Sequence, residues 1–391
     1  MKILFVSREM GSDLRYGMAK STLPIILQLQ QQGHEVRYLC QDSIEPPISD
    51  CLLVKLLNLI ATKSDCPWIW HAITERFRMG ALAQQLAVAE NYTHVHCHDP
   101  IIAFAYCLFY LFRPVWYKKK AWGFSEHGFG AYTKDKPYIV IPPIIKFFLK
   151  QLEKISACTA NWVIIPSQTG LQQLSVDLNI KNIPPSWQVI PHARPDINTY
   201  SRHDARLRLG WLDDLFYIVA VGQLIPLKQF PLLIKACGMI KNQAKIQLVI
   251  LGEGDQTLLQ QVAQQENLCN PLIVTHTDDI GLYLSSADIY VSSSATESFG
   301  MANLEAVVAG LPVIYTDVGA TSEIMGKSAI VVKQDPSDIA IAIEKMYDNP
   351  GYREAVALAC KERGQHWPDS ETISLRYGQA FQLIKVDHAA L

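Results

Sequence analysis

At 391 residues the chain is long enough for two domains rather than one. It is 49% hydrophobic and 18% charged, the balance of a soluble globular protein with ample core, and with a formal net charge of -2 nothing points to general nucleic-acid binding. Nine cysteines lie scattered without a CxxC pair or a metal-like spacing, which points to free or buried thiols in a reducing compartment.

Met1 to Ser7 is apolar but too short for a signal peptide, and Arg8 and Glu9 interrupt it. No apolar run reaches the ~18 residues of a spanning helix, so a cytoplasmic protein is expected. Lys2 to Ser7 reads as a strand covered on both faces. The loop to Tyr16 leads to Gly17, and Met18 to Gln31 carries Leu23, Ile26, Leu27 and Leu29 at helical spacing. Gly33 ends that helix and Glu35 to Leu39 is a second strand, which makes a right-handed βαβ unit. Gly17, at the helix start, would let a substrate approach the backbone.

Pro46 to Gly80 carries no motif and reads as helical over Leu52–Ile60 and Trp70–Met79. His94 to Asp99 (His-Val-His-Cys-His-Asp) is a strand end entering a loop. Its alternate histidines share a strand face, but no further ligand set completes a metal site, so a cleft-lining loop is the expectation. Ile101 to Phe112 is an apolar run with Lys118, Lys119 and Lys120 beyond it. Tyr138 to Leu149 is apolar and aromatic, broken by Pro142 and Pro143, with Lys146 and Lys150. A core helix and a covering loop are the simplest reading. Aromatic side chains beside lysines also dock on anionic membranes, so peripheral contact through the N-terminal domain, at the inner face of the membrane, is an open alternative.

Ala121 to Phe124 is a strand running into Glu126-His127-Gly128. His127 thus stands where strand ends meet a crevice in open α/β sheets. Phe147 to Thr159 is a helix, Trp162 to Ile165 a strand, Gln168 to Leu174 a helix capped by Ser167, and Val189 to Pro191 the last strand of this half. The interdomain linker is expected at His192–Tyr200.

The second half repeats the style. Strands are expected at Phe216–Val221, Ile246–Leu251, Leu272–Thr275, Val313–Thr316 and Ala329–Val332. Helices are expected at Phe230–Ile240, Gln256–Gln265, Thr321–Met325 and Pro336–Tyr347, and one ends at Tyr283–Ala287. The most informative stretch is Ala287 to Val313, which reads as strand, polar loop, helix, strand. Its helix, Gly300 to Ala309, offers unpaired N–H groups and a positive dipole end, a seat for phosphate. Glu297 before the helix and Glu305 within it would repel phosphate and are better placed to accept hydrogen bonds from hydroxyls. Phosphate flanked by hydroxyls describes a nucleotide-sugar.

Several motifs occur in order: Gly222-Gln223-Leu224-Ile225-Pro226-Leu227-Lys228, Leu251-Gly252-Glu253-Gly254, Glu297-Ser298-Phe299-Gly300 with Glu305-Ala306, Gly310-Leu311-Pro312-Val313 and Val318-Gly319-Ala320-Thr321-Ser322-Glu323. Together they resemble family 4 of the retaining GT-B glycosyltransferases (glycosyl transferases group 1). The C-terminal half matches nearly throughout. The N-terminal half matches loosely, at Gly17, Gly33-His34-Glu35-Val36, His96-Cys97-His98-Asp99 and Glu126-His127-Gly128.

The resemblance implies an α/β GT-B fold, two Rossmann-like domains facing across a cleft. The N-terminal, acceptor-binding domain would be 1–192 plus about 372–391, with the last helix, about Ser374 to Val386, crossing back onto it. The C-terminal, nucleotide-sugar-binding domain would be 200–371. The catalytic set implied is Glu297, His127 and Lys228. Donor binding falls to Gly17, Gln223, Lys228, Gly252, Gly254, Glu297, Ser298, Phe299, Gly300, Met301 and Glu305. Within it Glu297 contacts sugar hydroxyls, Glu305 the ribose, Ser298 to Met301 the sugar and phosphate through backbone amides, and Lys228 the diphosphate. Arg15, His98 and His127 are acceptor-side candidates. No metal or tightly bound cofactor is expected; the co-substrate is a nucleotide-sugar, UDP favoured and GDP open.

Gln223 departs from the pattern, which usually has Arg five residues before the Lys. An amide holds phosphate less strongly than a bidentate guanidinium. Compensation by Gln223's own donors, by Arg15, by Arg194 or by another cation stays open. Tyr16-Gly17 and Gly319-Ala320 each keep one glycine of a common pair. The implied activity is retaining transfer of a hexosyl-type sugar to a hydroxyl of a glycan, a lipid-linked acceptor or a small metabolite. Two other classes remain: a nucleotide-sugar 2-epimerase, and a non-catalytic sugar- or nucleotide-binding relative.

Overall fold

A computed structural model describes residues 1–8, 17–41, 52–64, 66–111, 120–128, 130 and 141–382. Arg15 and the proposed start of the Tyr138–Leu149 stretch lie outside the described residues. The chain divides into two compact units, Met1–Ala193 with Ser370–Leu391, and Arg194–Asp369.

The first unit runs β1 (Lys2–Val6), α1 (Gly17–Gln31), β2 (Glu35–Leu39), α2 (Leu52–Lys63), α3 (Pro67–Ala89), β3 (His94–Cys97), α4 (Pro100–Leu111), β4 (Ala121–Ser125), α5 (Pro143–Thr159), β5 (Trp162–Ile165), α6 (Gln168–Asp177) and β6 (Trp187–Val189). Its six strands are all parallel, in the order β2-β1-β3-β4-β5-β6. Strands such as Lys-Ile-Leu-Phe-Val have no polar face because helices cover both sides of a parallel sheet. Ile3, Leu4, Phe5 and Val6 are accordingly fully buried.

Two features differ from the sequence expectation. The helix expected at Trp70–Met79 spans 23 residues, Pro67–Ala89. It buries residues right round its circumference, including Arg76 and Gln84, so no clean apolar stripe marks its ends. Pro143 opens α5 earlier than expected, at the first helical position, where a missing N–H costs nothing. Of the Ile101–Phe112 run, by contrast, the first part is core as the simplest reading has it: Ile101, Ile102 and Ala105 are fully buried, while Phe112 lies outside the described residues.

The second unit runs α7 (Arg202–Leu209), β7 (Phe216–Val221), α8 (Phe230–Gly238), β8 (Ile246–Leu251), α9 (Thr257–Gln265), β9 (Ile273–Thr275), α10 (Ile280–Ser286), β10 (Ile289–Ser292), α11 (Met301–Val308), β11 (Val313–Thr316), α12 (Thr321–Met325), β12 (Ile330–Val332), α13 (Pro336–Asp348) and α14 (Pro350–Gln365). Its parallel sheet is ordered β12-β11-β10-β7-β8-β9. Helix α15 (Ser370–Phe381) then returns to the first unit. There Ile373, Ala380 and Phe381 are fully buried beside Ile3, Phe5 and Leu29.

Helices α7 and α14 have no counterpart among the expected elements. Both are polar. Helix α7 is set by caps rather than by periodicity: Ser201 Oγ accepts from Asp204 N at 3.1 Å, and Gly210 closes the helix in the left-handed region. Helix α14 buries only Val356, Cys360 and Gly364.

Candidate functional site

In the second sheet the chain builds β7, β8 and β9 outward in one direction, then lays β10 on the other side of β7. That reversal is a topological switch point, and in open α/β sheets ligands bind outside the carboxyl ends of the strands there. The two loops leaving it are those after β7 and after β10. They carry the Gly222–Lys228 and Ser293–Gly300 motifs.

The two loops are tied together. Ala295 N donates to Leu227 O at 2.7 Å, and Ser293 Oγ donates to Lys228 O at 2.9 Å. Across this seam Lys228 Nζ donates to Glu297 Oε1 at 2.6 Å. Ser294 Oγ gives the same oxygen a second hydrogen bond at 2.7 Å. Ser294 O is fixed in turn by Thr316 Oγ1 at 2.7 Å and Gln334 Nε2 at 2.8 Å. Glu297 is thus a nearly buried carboxylate whose Oε1 is held by a cation and a hydroxyl. The Lys228 side chain, on a 3₁₀ turn at Pro226–Lys228, stays about one-fifth exposed.

Glycines let this seam close. A Cβ on Gly319, which sits at φ +58°, would fall 1.7 Å from Glu297 O. A Cβ on Gly252 would fall 1.9 Å from Gly222 O. Real Cβ atoms do not approach so closely, so only glycine fits. Gly254 and Gly300 also lie at positive φ, and Gly300 is the N-cap of α11.

Beyond Gly300, Phe299 is buried with its ring edge-on to Trp367, while Ser298 and Met301 are partly exposed. Glu305 is buried in α11. Both acids lie near the Tyr290 phenol. Burial chiefly, and then the charges of Glu297 and Glu305, hold that hydroxyl well above its usual range. Tyr290 therefore stays a donor, and it bonds Asn303 Oδ1 at 3.0 Å. Gln223 is exposed at the loop surface. Arg194 Nη1 bonds Gln365 O at 3.0 Å.

The first sheet has its own reversal between β1 and β3, and here the histidines gather. Trp162 Nε1, which can only donate, bonds His96 Nδ1 at 2.9 Å. His96 Nε2 then carries the proton and donates to Ser125 Oγ at 3.0 Å. His96 is fully buried, and burial first, then the His127 charge, holds it well below its ordinary value. It is a core residue, so the cleft-lining expectation fails for His96. Asp99 is a helix cap and ion-pair partner: Oδ1 accepts from Ile101 N at 2.8 Å, and Oδ2 from buried Arg76 Nε at 2.7 Å. Among the described residues no three His, Cys, Asp or Glu side chains gather as metal ligands.

His98 and His127 do meet. His98 Nδ1 and His127 Nε2 share a hydrogen bond of 2.8 Å. The His127 ring stacks on His192 with centroids 5.6 Å apart and planes within 1°. Burial pulls His192 down to about 4, and burial followed by neighbouring imidazole charge holds His98 and His127 well below the usual value. All three are neutral near pH 7. His98 Nε2, buried, has no hydrogen-bond partner among the described residues. His192, expected in the interdomain linker, follows β6 by three residues, and that place is the signal that it belongs with the strand-end residues. Gly17 is the first residue of α1.

In solved structures the fold recurs. Sucrose-phosphate synthase from Thermosynechococcus elongatus superimposes with a TM-score of 0.75 at 18% identity, over 97% of this chain and 98% of that one. HepE from Anabaena, in complex with UDP and glucose, gives a TM-score of 0.70 at 17% identity, over 97% and 98%. These likenesses establish the α/β two-domain fold of GT-B glycosyltransferases. In sequence, a D-inositol 3-phosphate glycosyltransferase of Paenarthrobacter aurescens (strain TC1) is 32% identical over 167 residues, 39% of this chain. The chain spans 40% of that relative's length. Residues 201–366, in the unit that holds Lys228 and Glu297, match the family of glycosyl transferases group 1.

Proposed function

We propose that the protein transfers a sugar from a nucleoside-diphosphate sugar to an acceptor hydroxyl, with retention of anomeric configuration. The observation that carries this reading is the Lys228–Glu297 pair at the switch point of the second sheet, within the matched segment. As the C1–O bond breaks, negative charge grows on the departing diphosphate. Lys228 and the N-terminus of α11 are positive features for that charge, and fixed electrostatics of this kind is commonly the largest catalytic contribution. Glu297, with Oε1 already engaged, orients the sugar through its hydroxyls and is not the nucleophile. Glu305 holds the ribose, and the Ser298–Met301 backbone serves sugar and phosphate. The acceptor attacks on the face the diphosphate leaves, and a diphosphate oxygen takes its proton. Neutral His127, aligned by His98, serves the reacting sugar and the acceptor.

UDP is the favoured nucleotide, since HepE was solved with UDP and glucose. The test is to incubate the whole chain with UDP-glucose and a panel of glycan, lipid-linked and small hydroxyl acceptors. The reading expects UDP release with an α-linked product. Conversion of the donor alone to its 2-epimer would replace the reading with epimerisation. Tight UDP binding without turnover on any acceptor would leave a non-catalytic binder.

A further inference from the structure

Helix α5 carries an exposed apolar stripe that no described element covers. Ile144, Phe147, Phe148 and Ile155 are 68%, 59%, 59% and 48% exposed. Their spacing puts all four on one face. Two adjacent phenylalanines this exposed are unusual for a surface that meets only water. The opposite face, with Leu149, Ser156 and Ala157, is buried.

The charge beside the stripe has one sign. Lys146, Lys150 and Lys154 recur every four residues along its flank, between the stripe and the buried face. The helix's one acid, Glu153, is buried. Lys146 and Lys150 form no ion pair among the described residues, and Lys154 Nζ bonds only a carbonyl, Asn179 O, at 3.3 Å. Helix α2, which shares the core cluster beneath α5, repeats the pattern. Leu52, Leu56 and Leu59 are 76%, 48% and 52% exposed, Lys55 and Lys63 accompany them, and the helix holds no acid. This concentration of positive charge belongs to a chain whose net charge is -2.

We propose that the α5 face of the first unit, supported by α2, docks on the surface of an anionic lipid bilayer. Phe147 and Phe148 would enter the boundary between headgroups and acyl chains, while the lysine stems lie along it and their ammonium groups reach the headgroups. A second copy of the chain fits less well. Lysine is depleted from protein interfaces, and pairing two copies of this face would set lysine rows against one another. Each lysine near an anionic surface strengthens partition roughly fivefold.

The test is co-sedimentation of the full chain with vesicles of phosphatidylcholine alone or with phosphatidylglycerol added at about one-third of the lipid. Binding to the anionic vesicles only, weakened by added salt, is expected. Lys146→Gln/Lys150→Gln should lower the partition coefficient roughly twentyfold, and Phe147→Ser/Phe148→Ser at least tenfold. All four positions lie on the surface side of α5, so circular dichroism should match wild type. The proposal fails if wild type ignores anionic vesicles, or if the phenylalanine variant binds as wild type does. It also fails if wild type self-associates without binding vesicles and the same substitutions abolish that association. None of these readouts needs turnover, so the result is independent of the proposed transferase activity.

Discussion

At the scale of single residues, the proposed chemistry rests on side chains held by their neighbours. Lys228 reaches Glu297 at 2.6 Å because the backbones of the two loops are bonded to each other. On the proposed mechanism, Lys228→Ala deprives the donor diphosphate of its fixed cation, and one such group is worth roughly 3–4 kcal/mol in the transition state. kcat/KM with UDP-glucose should fall by a factor on the order of 10² to 10³. Glu297→Ala should lower turnover even at saturating donor; unchanged kcat there would remove Glu297 from the reaction. Glu297 and Lys228 were legible because the spacing of several motifs converged on them. Ser294, which gives Oε1 its second hydrogen bond, was not, since one serine in a serine-rich run carries no mark of its own.

At the scale of elements, helix α7 shows what periodicity misses. Its attachment is ionic. Buried Asp288, directly before β10, accepts from Arg206 Nη2 at 2.7 Å and from Tyr217 N at 2.8 Å, and it also pairs with Arg202. Removing one partner of such a buried set leaves charge unpaired, at a cost of roughly 3–5 kcal/mol. Asp288→Asn should therefore destabilise the second unit by about that amount in urea unfolding, although it lies outside the proposed donor-binding set. A loss below ~1 kcal/mol would mean that the guanidinium groups find water instead. Helix α14 shows the same through shape: a Cβ on Gly364 would come within 2.7 Å of Val307 O, so the helix packs closely on α11 at a glycine, a contact that hydrophobic periodicity does not mark, beside the buried Val356 and Cys360.

At the scale of the whole molecule, pH reaches the fold through buried imidazoles. His98, His127 and His192 belong to the first unit and stay neutral in the fold. The unfolded chain takes up protons near pH 6.5, whereas the folded His192 does so only at about 4. The unfolded state thus binds more protons between those values, so stability is full above about pH 6.5 and declines as pH falls towards 4. For His192 alone the loss is ~2 kcal/mol by pH 5. Hydrogen-exchange protection across β3 to β6 should drop at least tenfold between pH 7 and pH 5, after correction for intrinsic rates. Equal protection at both values would mean that the imidazoles are hydrated in the fold.

The sequence by itself determined the repeating strand–helix pattern, because strands buried on both faces must be continuously apolar. It also marked the two loops of the candidate site, because the Gly222–Lys228 and Glu297–Gly300 motifs stand in order at the spacing of a known family; the structure then shows why glycine is required at Gly252, against Gly222 O, and at Gly319, against Glu297 O. What only the tertiary structure decided were the partnerships between distant residues. His96 is core because Trp162, 66 positions away, donates to it. His98 belongs to the candidate site because His127 lies 2.8 Å away. The lysine-flanked stripe of α5 is a surface because α4 and the core cluster beneath it take only the opposite face. Residue type and spacing specify local backbone and burial; which of two chemically similar side chains works and which merely packs depends on contacts that close only when the sheet is assembled.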